Sequence, residues 1–359
     1  MRFHTSLPIL LLFALGCTKD TPVPVESMRS DGDADSTDAE DTDSGSEEDT
    51  PEDTPEDTAA EDPDCETTVT RTWPVDGAVD HYYLDPIVFE LSEPDETATV
   101  VMDVEGETTV SDDGLRVTFT PSSPLEPSTS YTVTLDYCYA EPEISFSTSH
   151  YGQPLEASTD LEDAVYMLRF TDGEYTVGDN AGELMNAIFR WPILVQMQDV
   201  DGPYVNLMAA LGKTDSDIYE QNTCARTILI EDIPTSSLPM LSGGVSDQEF
   251  GAHEGLLRFD SFTFEGTIAA DGATLGGIRY SASMGVAEIA DLLPDFGDVD
   301  AVCTLAANLD IPCEPCDTDE YKLCIRVAAQ HIPGVRVSTE MTPIDVPGVH
   351  EDCETEEED

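Results

Sequence analysis

Ile87-Val88-Phe89-Glu90-Leu91, closed by Ser92-Glu93-Pro94, is the stretch on which the fold turns. It alternates as a strand does when successive side chains point to opposite faces of a sheet. Working outward, alternating or β-branched runs recur with turn residues between them. They are Thr99-Val100-Val101-Met102, Leu115-Arg116-Val117-Thr118-Phe119, Tyr131-Thr132-Val133-Thr134-Leu135 and Ile144-Ser145-Phe146-Ser147-Thr148. Strands at this spacing over residues 65–149 predict a sandwich of two sheets.

The flanking residues sharpen that expectation. Pro74-Val75-Asp76-Gly77-Ala78 stands near the start, Pro86 opens the first run, and Pro121 and Pro124-Leu125 follow the run from Leu115 to Thr120. In this order, ending with Phe146-Ser147-Thr148, the segment resembles the bacterial Ig-like domains of S-layer and other surface proteins. The resemblance implies a fold and a setting but no ligand, because such sandwiches serve as spacers or as binding modules. Cys65 and Cys138 are additional to the family pattern. A bridge between them is one expectation, and pairing elsewhere is the alternative.

Ahead of this domain the chain begins with Arg2, His4 and an apolar run from Leu7 to Leu15, ending Phe13-Ala14-Leu15-Gly16-Cys17. A positive start, a short apolar core and a small residue at the cut describe an export signal, too short to span a bilayer. With its cysteine, the stretch resembles the lipobox of bacterial lipoproteins, although Ala14 stands where that family favours Leu. The resemblance implies cleavage after residue 16 and a lipid on Cys17, hence a membrane partner reached through the anchor. Thr18 after the cysteine implies outer-membrane placement under the sorting rules of that family, with the leaflet left open. Residues 17–64 read as an acidic, disordered tether with Thr50-Pro51-Glu52-Asp53 repeated as Thr54-Pro55-Glu56-Asp57. Asp31, Asp33 and Asp35 match the start of a calcium loop, but Ser36 and Thr42 replace the Gly and Glu that such a loop needs.

The 359 residues carry 14 Lys+Arg against 76 Asp+Glu, a net charge of −62. Such a surface repels phosphate backbones, which argues against nucleic-acid binding. It suits a salty medium, or weak and diffuse attraction of divalent cations, or simply solubility.

Residues 152–350 predict a second domain of unknown type, β-rich with a few helices, after a junction at residues 150–155; residues 351–359 form an acidic tail. The expected strands lie in Ala164–Phe170, Ile193–Met197, Tyr204–Leu211, Thr227–Ile230, Leu256–Phe264, Leu275–Met284 and Tyr321–Ile332. In the last, Leu323, Ile325 and Val327 share a face opposite Lys322 and Arg326. Asp172-Gly173, Asp201-Gly202 and Asp271-Gly272 supply turns, and Ser242-Gly243-Gly244 and Leu275-Gly276-Gly277 also read as turns. Helices are expected over Ala181–Arg190, Val286–Leu293 and Val299–Leu309. The whole is mainly β: an Ig-like sandwich followed by a β-rich domain.

With Cys17 lipidated, eight cysteines remain: Cys65, Cys138, Cys224, Cys303, Cys313, Cys316, Cys324 and Cys353. An even number in an exported chain favours disulfides. The cluster Cys303, Cys313, Cys316 and Cys324 has two other readings, a four-thiolate metal site and a redox pair at Cys313-Glu314-Pro315-Cys316.

Catalytic motifs fail on inspection. Ser281-Ala282-Ser283-Met284-Gly285 lacks the leading Gly of a nucleophile elbow, and His253-Glu254 has Leu257 where a zinc-protease pattern needs its second His. His81, His150, His253, His331 and His350 are scattered, read as surface or structural groups, and no cofactor motif is present. Trp73 and Trp191, each before a proline, are expected in the core or at a sheet edge, with use as sugar platforms as the alternative. The combined expectation is a lipid-anchored, non-enzymatic envelope protein with a binding, adhesion or structural role and a protein or glycan ligand. An enzyme with its site in residues 152–350, and a calcium-responsive protein, are the alternatives.

Overall fold

A computed structural model describes residues 67–138, 140–177, 181–188, 191–215, 218–252, 255–293, 298–320 and 322–345. The signal, Cys17, the tether, Cys65, His253, His350, Cys353 and the acidic tail lie outside the described residues. The fold is mainly β, with every strand pair antiparallel.

The first domain has seven strands: β1 (Val69–Trp73), β2 (Ile87–Leu91), β3 (Thr99–Met102), β4 (Gly106–Val110), β5 (Arg116–Pro121), β6 (Ser130–Asp136) and β7 (Glu143–Ser147). One sheet runs β1-β2-β5-β4 and the other β3-β6-β7, the strand order of a constant-type immunoglobulin sandwich. The alternation seen in the sequence is the cause. Ile87, Phe89, Leu91, Val117 and Phe119 of one sheet meet Val133, Leu135, Ile144 and Phe146 of the other in a common core. Burial of each such side chain contributes roughly 1.5–3 kcal/mol.

The second domain is a curled sheet. Its strands are β8 (Val165–Leu168), β9 (Glu174–Tyr175), β10 (Ile193–Gln198), β11 (Tyr204–Asp215), β12 (Ile218–Gln221), β13 (Ala225–Arg226), β14 (Ile228–Pro234), β15 (Met240–Ala252), β16 (Gly255–Ile268), β17 (Thr274–Gly285), β18 (Cys313–Pro315) and β19 (Leu323–Val337). The path is β12-β11-β10-β8-β19-β17-β16-β15-β13, with β14 beside β11 and β9 and β18 beside β19. The curl brings β14 against β15, where Ile230 and Ile233 face Gly243. Side chains from β8, β10, β11, β14, β15, β16 and β17 then enclose an apolar interior with a residual void of about 70 Å³. Helices α1 (Ala181–Ile188), α2 (Val286–Leu292) and α3 (Val299–Asn308) add Leu184, Met185, Ile289, Val302 and Ala306 to the same core. Among the described residues no helix is long and apolar enough to cross a membrane.

Several local expectations change. Ser242-Gly243-Gly244 is the start of a long strand, because without a Cβ Gly243 lets Ile230, Ile233 and Phe264 close the seam. Leu275-Gly276-Gly277 likewise lies within β17. Asp201-Gly202 and Asp271-Gly272 do turn the chain between β10 and β11 and between β16 and β17. Asp172-Gly173 instead ends a single 3-10 turn leading into β9. In β19, Ile325 and Val327 are buried, but Leu323 is 39% exposed, because the strand starts outside the core. The helices expected over Val286–Leu293 and Val299–Leu309 each stop one residue before their expected ends, and the helix from Ala181 is described as far as Ile188.

Candidate functional site at the domain junction

Residues of the sandwich and of the curled sheet come together around two irregularities in β17 and β19. Opposite Pro333 of β19, strand β17 carries two residues, Gly276 and Gly277, and opposite Arg279 of β17, strand β19 carries Gln330 and His331. These are β-bulges, which bend a sheet and re-aim side chains. Gly277 has a positive φ of +59°, and His331 sits at +56°. Glycine enters this region freely, and histidine is among the few other residues that do so with some frequency.

The glycine bulge is a seat for aromatic rings. A Cβ on Gly276 would stand 2.2 Å from the Tyr151 ring, and one on Gly277 2.0 Å from the Tyr82 ring. Three phenols are held by hydroxyls of the curled sheet: Tyr82 Oη is 2.6 Å from Thr267 Oγ1, Tyr83 Oη 3.2 Å from the same oxygen, and Tyr151 Oη 3.0 Å from Thr274 Oγ1. Tyr151 belongs to the stretch expected as a plain junction, so that stretch is a packed part of the contact. Burial, the largest influence, pushes the Tyr82 hydroxyl well above its ordinary pKa, so it stays a neutral hydrogen-bonding group.

The histidine bulge makes the polar half of the contact. His331 Nε2 lies 2.6 Å from Asp85 Oδ2, and its Nδ1 lies 3.1 Å from Glu174 Oε2. Asp85 also receives Arg279 at 3.3 Å, while the same guanidinium donates to Glu265 at 2.8 Å. The hydrogen bond to Asp85 is the main cause that raises the His331 pKa, ahead of the opposing effect of burial. Asp85 is 4% exposed, and its carbonyl accepts from His81 Nε2 at 3.3 Å. Burial lowers the His81 pKa, so His81 is neutral with Nδ1 as a bare acceptor. That atom and Ser149 Oγ are buried without a hydrogen-bond partner.

Between the domains this arrangement leaves a cleft of about 460 Å³, with Trp73, Asp80, His81, Ser149, Glu174 and His331 in its walls. Trp73 ends the edge strand β1 and is 38% exposed; Trp191 is 53% exposed. Neither is a core residue. The edge placement of Trp73 follows from β1 having, among the described residues, no strand beyond it in its sheet.

The cysteine cluster forms two disulfides, Cys303–Cys313 and Cys316–Cys324. The two cysteines of Cys313-Glu314-Pro315-Cys316 therefore bond to different partners, and β18 runs beside β19 without a following helix. This arrangement differs from a redox pair, and all four sulfurs are engaged with one another instead of converging as thiolates. Cys138 and Cys224 are disulfide-bonded as well. The loop after Cys316 is latched by Asp260, 1% exposed, which accepts from the backbone N–H of Asp317 at 2.8 Å and from the N–H and hydroxyl of Thr318. Burial would raise the Asp260 pKa, but these hydrogen bonds outweigh it and hold the carboxyl below its usual value. Asp260, Cys316 and Cys324 cluster closely enough to resemble a metal site, yet the two sulfurs are spent on each other.

Ser283, of the failed elbow motif, is buried inside β17, two residues before the strand ends at Gly285. Sequence reasoning missed Asp85, His331, Arg279 and Asp260 as interacting groups. The first and second are 246 residues apart, and no local pattern joins them. The one usable signal was Gly276-Gly277 inside an apolar run, where an isolated glycine marks a bulge or a close approach.

Residues 64–148 match the family model described as a bacterial Ig-like domain, within one residue at each end of the expected sandwich. No curated protein matches the chain. Among solved structures the chain is similar to an L,D-transpeptidase from Mycobacterium smegmatis, at 13% identity over 44% of this chain and 80% of that one, with a TM-score of 0.20. It is similar to L,D-transpeptidase 3 from Mycobacterium tuberculosis at 11% identity, over 43% and 81%, with a TM-score of 0.19. The S-layer protein rSbsC(31-844) gives 11% identity over 60% of this chain and 39% of that one, with a TM-score of 0.18. Scores this low say nothing about the activity of this chain. The family match and the strand order agree on one point: the first domain is a bacterial Ig-like domain.

Proposed function

We propose that this chain is a lipid-anchored protein of the bacterial cell envelope, held at the outer membrane through Cys17, with a binding, adhesion or structural role. The observation that carries the reading is the Ig-like domain at residues 64–148, a module suited to envelope proteins. The lipobox-like Phe13 to Cys17 and the acidic stretch to residue 64 support it, since together they supply an anchor and a spacer. The Ig-like domain does not hang free of its neighbour: Tyr82, Tyr83, Tyr151 and Asp85 fasten it to the curled sheet. The two domains would be displayed as one piece.

The test is metabolic labelling with radioactive palmitate, followed by detergent-phase partition, for the full chain and for Cys17→Ser. Label and detergent partition in the parent, both lost in Cys17→Ser, are expected. An unlabelled parent that stays in the aqueous phase overturns the anchor.

A further inference from the structure

We propose that the cleft between the Ig-like domain and the curled sheet is a carbohydrate site, with Trp73 as its stacking surface and a neutral, hydroxyl-rich sugar chain as its ligand. This deepens the envelope reading and rests on it for the glycan-rich setting.

Size and place come first. About 460 Å³ at a domain interface falls among the dimensions and locations of small-ligand sites. Chemistry then narrows the ligand. Trp73 offers an indole to the cleft while remaining 38% exposed, the arrangement that the apolar C–H face of a sugar ring covers. Beside it stand the carboxylates of Asp80 and Glu174, which can only accept hydrogen bonds. Among the described residues no lysine or arginine lines the cleft, and the His331 ring is already paired with Asp85 and Glu174, so a ligand bearing phosphate or carboxylate meets repulsion on a chain of net charge −62. Hydroxyl groups, which donate, fit these acceptors.

A second observation is independent of charge. His81 and Ser149, 3% and 7% exposed, lie in the wall on hydrogen-bonded neighbouring backbones, the Ser149 N–H donating to the His81 carbonyl at 2.8 Å. Each keeps one buried polar atom without a partner, His81 Nδ1 and Ser149 Oγ. Buried polar groups nearly always find partners, and unsatisfied ones call for a reason. A buried acceptor and a buried hydroxyl behind the wall suit a water that relays to a sugar hydroxyl in the cleft. The walls are already fixed by the bonds from Tyr82, Tyr151 and Asp85, so binding loses little to ordering.

The experiment uses the full chain in detergent micelles, titrated calorimetrically and by tryptophan fluorescence with cellotetraose, chitotetraose and the anionic tetragalacturonate. At least one neutral chain should bind with quenching, and the anionic one at least about tenfold more weakly. Trp73→Ala should raise Kd about tenfold or more, and Trp191→Ala should leave it unchanged. Val75→Arg, at a 57% exposed position in the cleft wall, should obstruct the site without touching a core, and decides the matter if Trp73→Ala lacks a cooperative melting transition. No binding of either neutral chain up to ~10 mM, unchanged binding in Val75→Arg, or preference for the anionic chain overturns the proposal. Palmitate labelling reads the anchor separately, so an anchored protein with an inert cleft sinks the sugar site alone.

Discussion

In the Ig-like domain, β2 buries Ile87, Phe89 and Leu91 and leaves Val88 and Glu90 only partly buried, whereas β8 of the curled sheet buries four residues in a row. The contrast comes from what covers the outer face. Each sandwich sheet has solvent behind it, so a period of two survives in the sequence. Behind β8, β10 and β11, a smaller cluster of Val165, Met167, Leu194 and Met208 is covered by the segment carrying Met341. Both faces are then apolar and the period vanishes. Glycine behaves differently as well. In the sandwich Gly77 and Gly114 take positive φ in turns, while in the curled sheet Gly277 takes it in the middle of a strand to admit a ring from the neighbouring domain. In the curled sheet, turn chemistry read locally holds at the hairpin ends Asp201-Gly202 and Asp271-Gly272 and fails at the glycine pairs inside strands.

Four substitutions would break or sharpen this comparison, taken from the largest expected effect. Phe89→Ala, at a fully buried centre of the sandwich, should cost about 3–5 kcal/mol by cavity formation, read by denaturant unfolding. If the domains were independent, that loss would leave the melting of the curled sheet unchanged; the junction contacts predict that both transitions move. Removing the Cys303–Cys313 bridge with a double serine substitution should cost about 3 kcal/mol, felt first in the curled-sheet domain and passed to the sandwich through the same junction contacts. Equal stability with and without reductant would contradict it.

Gly277→Ala places a Cβ against the Tyr82 ring at a positive φ, and should cost about 2 kcal/mol. Combining it with Tyr82→Ala tests the cause, since a steric conflict predicts a non-additive cycle. Additivity would assign the whole cost to backbone strain.

The smallest effect is a pH dependence at the junction. The His331 pKa is raised in the folded state, chiefly by the hydrogen bond to Asp85, with Glu174 also favouring the charged form. Its contribution is therefore fully present below the unfolded value of about 6.5 and is lost as pH rises through the higher folded value. Arg279 and neutral His81 are the other groups facing this pair. Melting temperature should fall across that window in the parent relative to His331→Gln, and parallel profiles would refute the coupling.

How much of this was legible beforehand differs between the domains. The sandwich could be read strand by strand because Ile87–Leu91, Leu115–Phe119 and Tyr131–Leu135 each carry their own alternation. The strand β15 could not, since Ser242-Gly243-Gly244-Val245-Ser246-Asp247 has the composition of a turn and is held extended by twelve paired positions on β16. The cysteine cluster was readable as a set, but not its pairing, because spacing alone permits Cys313 to meet Cys316 and only the ladder between β18 and β19 separates them.

The sequence by itself determined the mainly β class, the extent of the Ig-like domain and the strongly acidic surface. Each depends on composition or on a period of two residues, which neighbours along the chain suffice to express. Only the tertiary structure decided which residues meet at the junction. Asp85 and His331, or Tyr82 and Gly277, come together because two domains dock and two bulges re-aim the strands beneath them. Contacts across nearly two hundred residues or more leave no periodic trace in the chain, so the cleft with Trp73 in its wall exists only in the folded protein.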